Sequence, residues 1–155
     1  MHNSRKRIAV AVVLVSTMGS APPRLDQQRV PLIEAAEFTL AAPVRAETGS
    51  SQLRLRNTGV LDHHVRLLRL DSARSFREFE RALVEQGAVP KWAEDVGGFE
   101  SIAGGATSTT TIRLSAGVHV LICIARLSDG TPMAMKGMYR QIDIGPSPRS
   151  TGNPG

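Results

Sequence analysis

Sulfur is scarce in this chain and unevenly placed. The sequence holds one cysteine and five methionines. Two of the methionines, Met1 and Met18, stand near the N-terminus, whereas Met133, Met135 and Met138 fall within six positions of one another. Cys123 ends an apolar run just before them. Thiolate and thioether are soft donors that suit copper, and Cu(I) above all. The same residues also fill an irregular gap well, because methionine is flexible and a free cysteine packs as a small hydrophobe. Clustering alone leaves both readings open. A lone cysteine excludes an intrachain disulfide framework and any zinc site built from several cysteines. A Cys123 nucleophile activated by His63 would make an enzyme. No carboxylate or oxyanion loop stands by to help, and a thiol inside Leu121-Ile122-Cys123-Ile124 has the setting of an inert buried one. No catalytic activity is expected.

The elements that must position these residues read as strands. From Ala36 the pattern turns to period two, with Phe38 and Leu40 alternating with Glu37 and Thr39. After a turn at Thr48-Gly49-Ser50, Leu53, Leu55 and Asn57 point one way while Arg54 and Arg56 point the other. Asn57-Thr58-Gly59 breaks that strand. His63, Val65 and Leu67 then share a face, with His64 and Arg66 opposite. Strands are further expected over Thr107–Leu114, Val118–Ala125 and Gly137–Ile144, with an irregular connection over Pro90–Gly105 that contains Trp92. The one departure is Ser75 to Gln86. There Ser75 and Glu78 have capping-box spacing, Phe76, Phe79 and Leu83 form an apolar stripe, and Gly87 ends a short helix. Six or seven short strands with frequent turns and one helix indicate an all-β sandwich.

Length and composition agree with a single packed domain. The chain has 155 residues, 41% hydrophobic, 21% charged and 4% aromatic, too apolar for wholesale disorder. So few aromatics argue against a nucleic-acid surface built on stacking. Residues 1–21 read as a secretory signal: Arg5-Lys6-Arg7, the apolar run Ile8 to Val15, then small residues up to Ala21. That run is too short to span a membrane, and no cysteine follows the cut to carry a lipid. Loss of its three basic residues lowers the net charge of +5 to about +2. The expected organisation is a signal over 1–21, a proline-containing lead-in over 22–35, one domain over 36–145, and a disordered Gly/Pro/Ser tail over 146–155. The mature chain is expected in the periplasm or outside the cell, with no stable membrane span and no nucleic-acid partner.

Four pieces of the sequence, in order, resemble the cupredoxins, the β-sandwich family of small blue copper proteins. Leu53 to Gly59 followed by Asp62-His63-His64-Val65 is similar to the family's strand, N-x-G turn and first histidine ligand. Gly104-Gly105-Ala106-Thr107 to Leu114 resembles the glycine turn and strand that come next. Ser115 to Cys123 resembles the G-x-Y-x-x-x-C strand, and Pro132-Met133 with Gly137-Met138 resembles the P-H…G-M loop. The resemblance covers about two-thirds of the chain. It implies a Greek-key cupredoxin-like sandwich with one short inserted helix, and copper as cofactor. It also implies His63 as first ligand, Cys123 as thiolate and Met138 as axial thioether.

The resemblance breaks at one place. Met133 stands where the family has its second histidine, and His119 replaces the usual tyrosine. His119 cannot repair the site, because four strand residues put its Cα roughly 13 Å from that of Cys123. A His63, Cys123, Met133, Met138 set is softer than a two-histidine site, so it favours Cu(I) and makes reversible electron transfer harder. Two functions follow. One is an exported copper module for carriage, sequestration or electron transfer, working with a protein partner in the cell envelope. The other is a metal-free cupredoxin-like interaction domain in which these residues plug one end of the sandwich.

Overall fold

The structure, a computed structural model, describes residues 30–146. The expected signal, most of the lead-in and the tail after Pro146 lie outside the described residues. Nine strands form two sheets: β1 (Leu32–Ala36), β2 (Thr39–Ala41), β3 (Arg45–Glu47), β4 (Gly49–Asn57), β5 (Val65–Leu70), β6 (Ala93–Gly98), β7 (Thr107–Leu114), β8 (Gly117–Cys123) and β9 (Tyr139–Gly145). The first sheet has the order β2-β1-β4-β7 and the second β3-β9-β8-β5-β6. Helix α1 (Phe76–Gln86) connects β5 to β6. The result is the expected all-β sandwich with one short helix.

Alternation decides which side chains enter the sandwich. On β4, Leu53, Leu55 and Asn57 are buried while Arg54 and Arg56 face solvent. Arg56 pairs there with Glu34 of β1. The second sheet is covered on both faces, which is why β5 and β8 read as nearly continuous apolar runs. Val65, Leu67, Leu121 and Cys123 join the core between the sheets. Leu68, Leu70, Val120 and Ile122 pack outward with Phe79 and Leu83 of the helix. Each such leucine, isoleucine or phenylalanine contributes about 1.5–3 kcal/mol on full burial.

The helix begins and ends as its sequence requires. The Ser75 side chain accepts the N–H of Glu78, the Glu78 carboxylate accepts the N–H of Ser75, and Gly87 closes the helix at φ 62°. Trp92 packs edge-on against Phe79 at 6.3 Å, and the Arg74 guanidinium lies 5.4 Å above its ring. Trp92 therefore anchors the connection that follows the helix.

Several local expectations change: nine strands form where six or seven were expected, and Gly49 and Ser50, expected in a turn, already pair in β4 with Leu114 and Arg113. Residues Leu32–Ala35, placed in the lead-in by the sequence reading, form β1 together with Ala36, with Ile33 and Ala35 enclosed. Glu37 and Phe38 are the turn of the β1–β2 hairpin rather than strand, and Phe38 adopts a positive φ of 63°. The connection expected over Pro90–Gly105 contains β6, an edge strand whose pairing with β5 is broken by a bulge. Acidic residues and a glycine pair hide its alternation. Gly98 is required there, since a Cβ would lie 2.3 Å from the Val65 carbonyl oxygen.

Candidate metal centre

Two connections and the end of one strand meet at one end of the sandwich, and each carries a candidate donor. The loop after β4 leads to His63, whose N–H donates to Ile102 O (3.0 Å) and whose carbonyl accepts the Ile102 N–H (2.8 Å). Cys123 closes β8 opposite Val65, and its N–H donates to Met138 O (2.9 Å). The segment between β8 and β9 brings Met133 in at the start of a single 3-10 turn, Met133–Lys136. Its N–H is held by Ala125 O at 2.9 Å. Gly137, at φ 90°, then reverses the chain so that Met138 enters the core ahead of β9.

The side chains converge on the cysteine sulfur. Cys123 Sγ lies 3.8 Å from His63 Nδ1 and 3.7 Å from Met133 Sδ. Met138 belongs to the same core cluster, and its N–H reaches Met133 O at 3.4 Å. His63, Cys123 and Met138 are 0% exposed and Met133 is 2% exposed. The inward choice of His63 over His64 holds, because His64 faces outward and sits 3.6 Å from Glu100.

These separations pass a simple test of fit. Two donors sharing one ion at bonds of about 2.0–2.3 Å stand roughly 3.3–4.0 Å apart when the angle between them is tetrahedral to trigonal. Both measured separations fall in that span. The His63 Nε2 atom, the ring nitrogen turned away from Cys123, is buried without a hydrogen-bond partner among the described residues, and an ion held at Nδ1 would leave it so. Among the described residues no three of His, Cys, Asp and Glu gather to hold a metal ion. Any ion here would take thioether sulfur as a donor, which selects against hard cations.

Burial sets the protonation of His63 and Cys123. It holds the His63 imidazole below the usual histidine range, against the opposing charges of Glu37 and Asp62. It pushes the Cys123 thiol up, although the N–H groups of Ala125 and His64 stabilise its thiolate. Near neutral pH the site therefore holds a neutral imidazole and a protonated thiol, the latter donating to Met133 Sδ.

Comparison with solved structures matches this architecture to auracyanins and an azurin. Reduced auracyanin from Roseiflexus castenholzii superposes with a TM-score of 0.50 at 13% identity, over 74% of this chain and 95% of that one. Auracyanin A from Chloroflexus aurantiacus gives 0.44 at 17% identity, over 73% and 97%. An azurin from Methylomonas sp. strain J gives 0.45 at 12%, over 73% and 95%. The fold is cupredoxin-like. No family model and no curated protein matches the sequence.

Within this cupredoxin-like fold, two supports of the site escaped the sequence reading. Asn57 is fully buried at the head of the loop that carries His63. Its Nδ2 donates to Leu61 O (2.7 Å) and Ile102 O (2.9 Å), and its Oδ1 accepts the Gly59 N–H (3.0 Å). It thus ties the loop that carries His63 to the residue that His63 bridges. Glu37, in the β1–β2 turn, accepts the N–H groups of Val60 (2.5 Å) and Leu61 (3.1 Å), which hold its carboxyl below the usual range. Gly59 leaves room for that carboxylate, since a Cβ there would meet it at 2.3 Å. A polar residue in the inward phase of β4 was the available signal for Asn57. Glu37 gave none, because its partners lie more than 20 residues away. His119 is buried on the inner face of β8, four residues before Cys123, with Nδ1 3.2 Å from Gly117 O and Nε2 unpartnered. It takes no part in the cluster around Cys123.

Proposed function

We propose that this chain is an exported copper-binding module that takes Cu(I) as cargo for carriage or sequestration. His63, Cys123 and Met133 would hold the ion, with Met138 as the further thioether. The observation that carries this reading is the pair of separations centred on Cys123 Sγ, 3.8 Å to imidazole nitrogen and 3.7 Å to thioether sulfur. Soft donors in an enclosed site stabilise Cu(I) against oxidation and against exchange with harder cations. One imidazole instead of two leaves Cu(II) poorly supported, so carriage suits this site better than reversible electron transfer.

The protein's own part is protonic and steric. Cys123 must release its proton for the thiolate to bind, so retention of Cu(I) should strengthen as pH rises. His63 is already neutral and needs no such step. The surrounding Leu55, Val65, Phe99 and Ile102 belong to the same apolar core and keep water from the sulfur atoms. Export to the periplasm or beyond follows from the signal pattern of residues 1–21. No helix among the described residues is long and apolar enough to cross a membrane. The partner in this reading is a cell-envelope protein that delivers or receives Cu(I).

The test is an anaerobic Cu(I) titration against a competing chelator, run beside a His63→Ala, Cys123→Ala double variant. One equivalent held by the wild type and lost in the variant supports the copper reading. Identical competition curves would remove it and leave a metal-free interaction module.

A further inference from the structure

Strands β2, β7, β3 and β6 stand at the sheet edges, and three of them are poor templates for further pairing. Strands β2 and β3 are three residues long. Strand β6 is broken by a bulge and carries Glu94, Asp95 and two glycines. Short length, bulges and charge are the usual protections of a sheet edge. Strand β7 lacks them. It runs for eight residues from Thr107 to Leu114, in unbroken register with β4, without proline and with Arg113 as its single charge.

The bonds of β4 decide which backbone groups of β7 are free. Asn57 N–H donates to Ala106 O (2.9 Å), whereas Arg54 N–H turns the other way, to Pro31 O (3.0 Å). Bonded pairs in an antiparallel ladder recur at every second residue. Leu55, Leu53 and Ser51 therefore exchange bonds with Ser108, Thr110 and Ile112. The N–H and C=O groups of Thr107, Thr109, Thr111 and Arg113 point away from β4. Among the described residues neither a strand nor a loop bonds to them, and their side chains are exposed.

We infer that β7 is the seam of a homodimer: the β7 strands of two copies pair antiparallel about a two-fold axis at Thr110, joining their four-stranded sheets into one. That register sets Thr109 opposite the partner's Thr111, and Thr107 opposite the partner's Arg113. All four outward residues of each copy then bond, which adds about eight backbone hydrogen bonds. Threonine pairs across strands are favourable, and the one charge never faces itself. A second copy fits better than a foreign peptide. Strand addition takes its specificity from side-chain pockets, and the outward row here is polar and exposed. Pairing also uses up the edge. Both outer strands of the joined sheet are β2, three residues long, so assembly closes at two copies. Thr107 lies toward the His63 end of the sandwich, where Ala106 meets Asn57, so the seam sets the two candidate centres at opposite ends of the dimer. Strand β7 supplies none of the proposed copper donors, and the inference is independent of the copper reading.

The experiment measures the mass of the metal-free chain by sedimentation equilibrium from micromolar to near-millimolar concentration, with amide hydrogen exchange read at both limits. Mass should rise to twice that of one chain and stop there. The amides of Thr107, Thr109, Thr111 and Arg113 should pass from fast exchange to protected, while those of Ser108, Thr110 and Ile112 stay protected throughout. Two double variants fix the register. Thr109→Glu with Thr111→Glu sets like charges opposite each other twice across the seam, and the dissociation constant should rise by about tenfold. Thr109→Glu with Thr111→Lys sets opposite charges there and should hold the dimer at least as tightly as the wild type. Both positions face solvent, so dilute samples of either variant should melt within about 2 °C of the wild type. Monomeric mass at the highest concentration overturns the assignment, as does a dimer whose four outward amides stay unprotected. Growth past two copies, or equal dissociation of the two variants, overturns it as well. So does protection of the four amides in the dilute monomer, which would mean that the chain's own end residues cover β7.

Discussion

Replacing Asn57 by alanine should both destabilise the fold and loosen the first ligand loop. The side chain makes three hydrogen bonds, from Nδ2 to Leu61 O and Ile102 O and to Oδ1 from Gly59 N–H. Each neutral bond of this kind contributes about 1 kcal/mol net. The Ile102 bond is buried at both ends, so its orphaned carbonyl adds a desolvation cost of about 1–2 kcal/mol. The total is about 4 kcal/mol. For a chain of 155 residues that corresponds to a fall in Tm of about 8–16 °C. Circular-dichroism melting of the metal-free protein reads it directly. Asn57→Asp is the sharper variant: it keeps the bond to Gly59 but sets an oxygen against two carbonyl oxygens, so it should be at least as unstable at neutral pH. The same changes should weaken Cu(I) retention, because Ile102 bridges His63 through its backbone. A fall of less than about 3 °C for Asn57→Ala, below 1 kcal/mol or so, would refute the view that this residue holds the ligand loop.

Met133→His restores the imidazole that the family pattern has at this position, and with Cu(II) it should give an intense visible thiolate charge-transfer band that the wild type lacks; no band means that Met133 is not aligned with the second histidine. Burial holds both His63 and His119 below the usual histidine range, so the unfolded chain takes up their protons first. Metal-free stability should therefore be full above pH of about 6.5 and fall as the pH drops below it, by up to about 1.4 kcal/mol per pH unit for each imidazole. Urea melts at several pH values check this, and His119→Leu should remove about half of the slope. Gly98→Ala would press a methyl group against Val65 O and Arg66 Cα at 2.3 and 2.7 Å. Backbone must move, so urea denaturation should show a loss of at least about 2 kcal/mol, together with weaker Cu(I) binding, because Val65 pairs with Cys123.

The legible parts of this protein are those governed by local periodicity. Period-two alternation placed Leu53, Leu55, His63, Val65 and Leu67 on an inner face, because each strand has one side to bury. Ser75, Glu78 and Gly87 marked the helix through bonds that span only a few residues. Strands β1 and β6 were lost for a different reason. In β1 the run Leu32-Ile33-Glu34-Ala35-Ala36 follows a proline and is defined by its parallel pairing with β4. In β6, of the two glycines that obscure the pattern, Gly98 admits the backbone of Val65 and Gly97 takes a positive φ of 129°. Neither cause is visible within the segment itself.

The same division runs through the candidate centre. The residue types, the scarcity of sulfur and the exchange of an imidazole for Met133 belong to the sequence, and they determine that any ion held here would be a soft one. Whether the donors could meet was a tertiary matter. His63 and Cys123 are 60 positions apart, and only the closure of β5 on β8 brings imidazole and thiol within 4 Å. Tertiary structure also decided that every donor is enclosed, that Asn57 and Glu37 hold the loop that carries His63, and that β7 ends its sheet. Such facts depend on contacts between distant segments. Composition and spacing carry no record of them, because a side chain's neighbours across a sandwich are chosen by the packing of whole sheets.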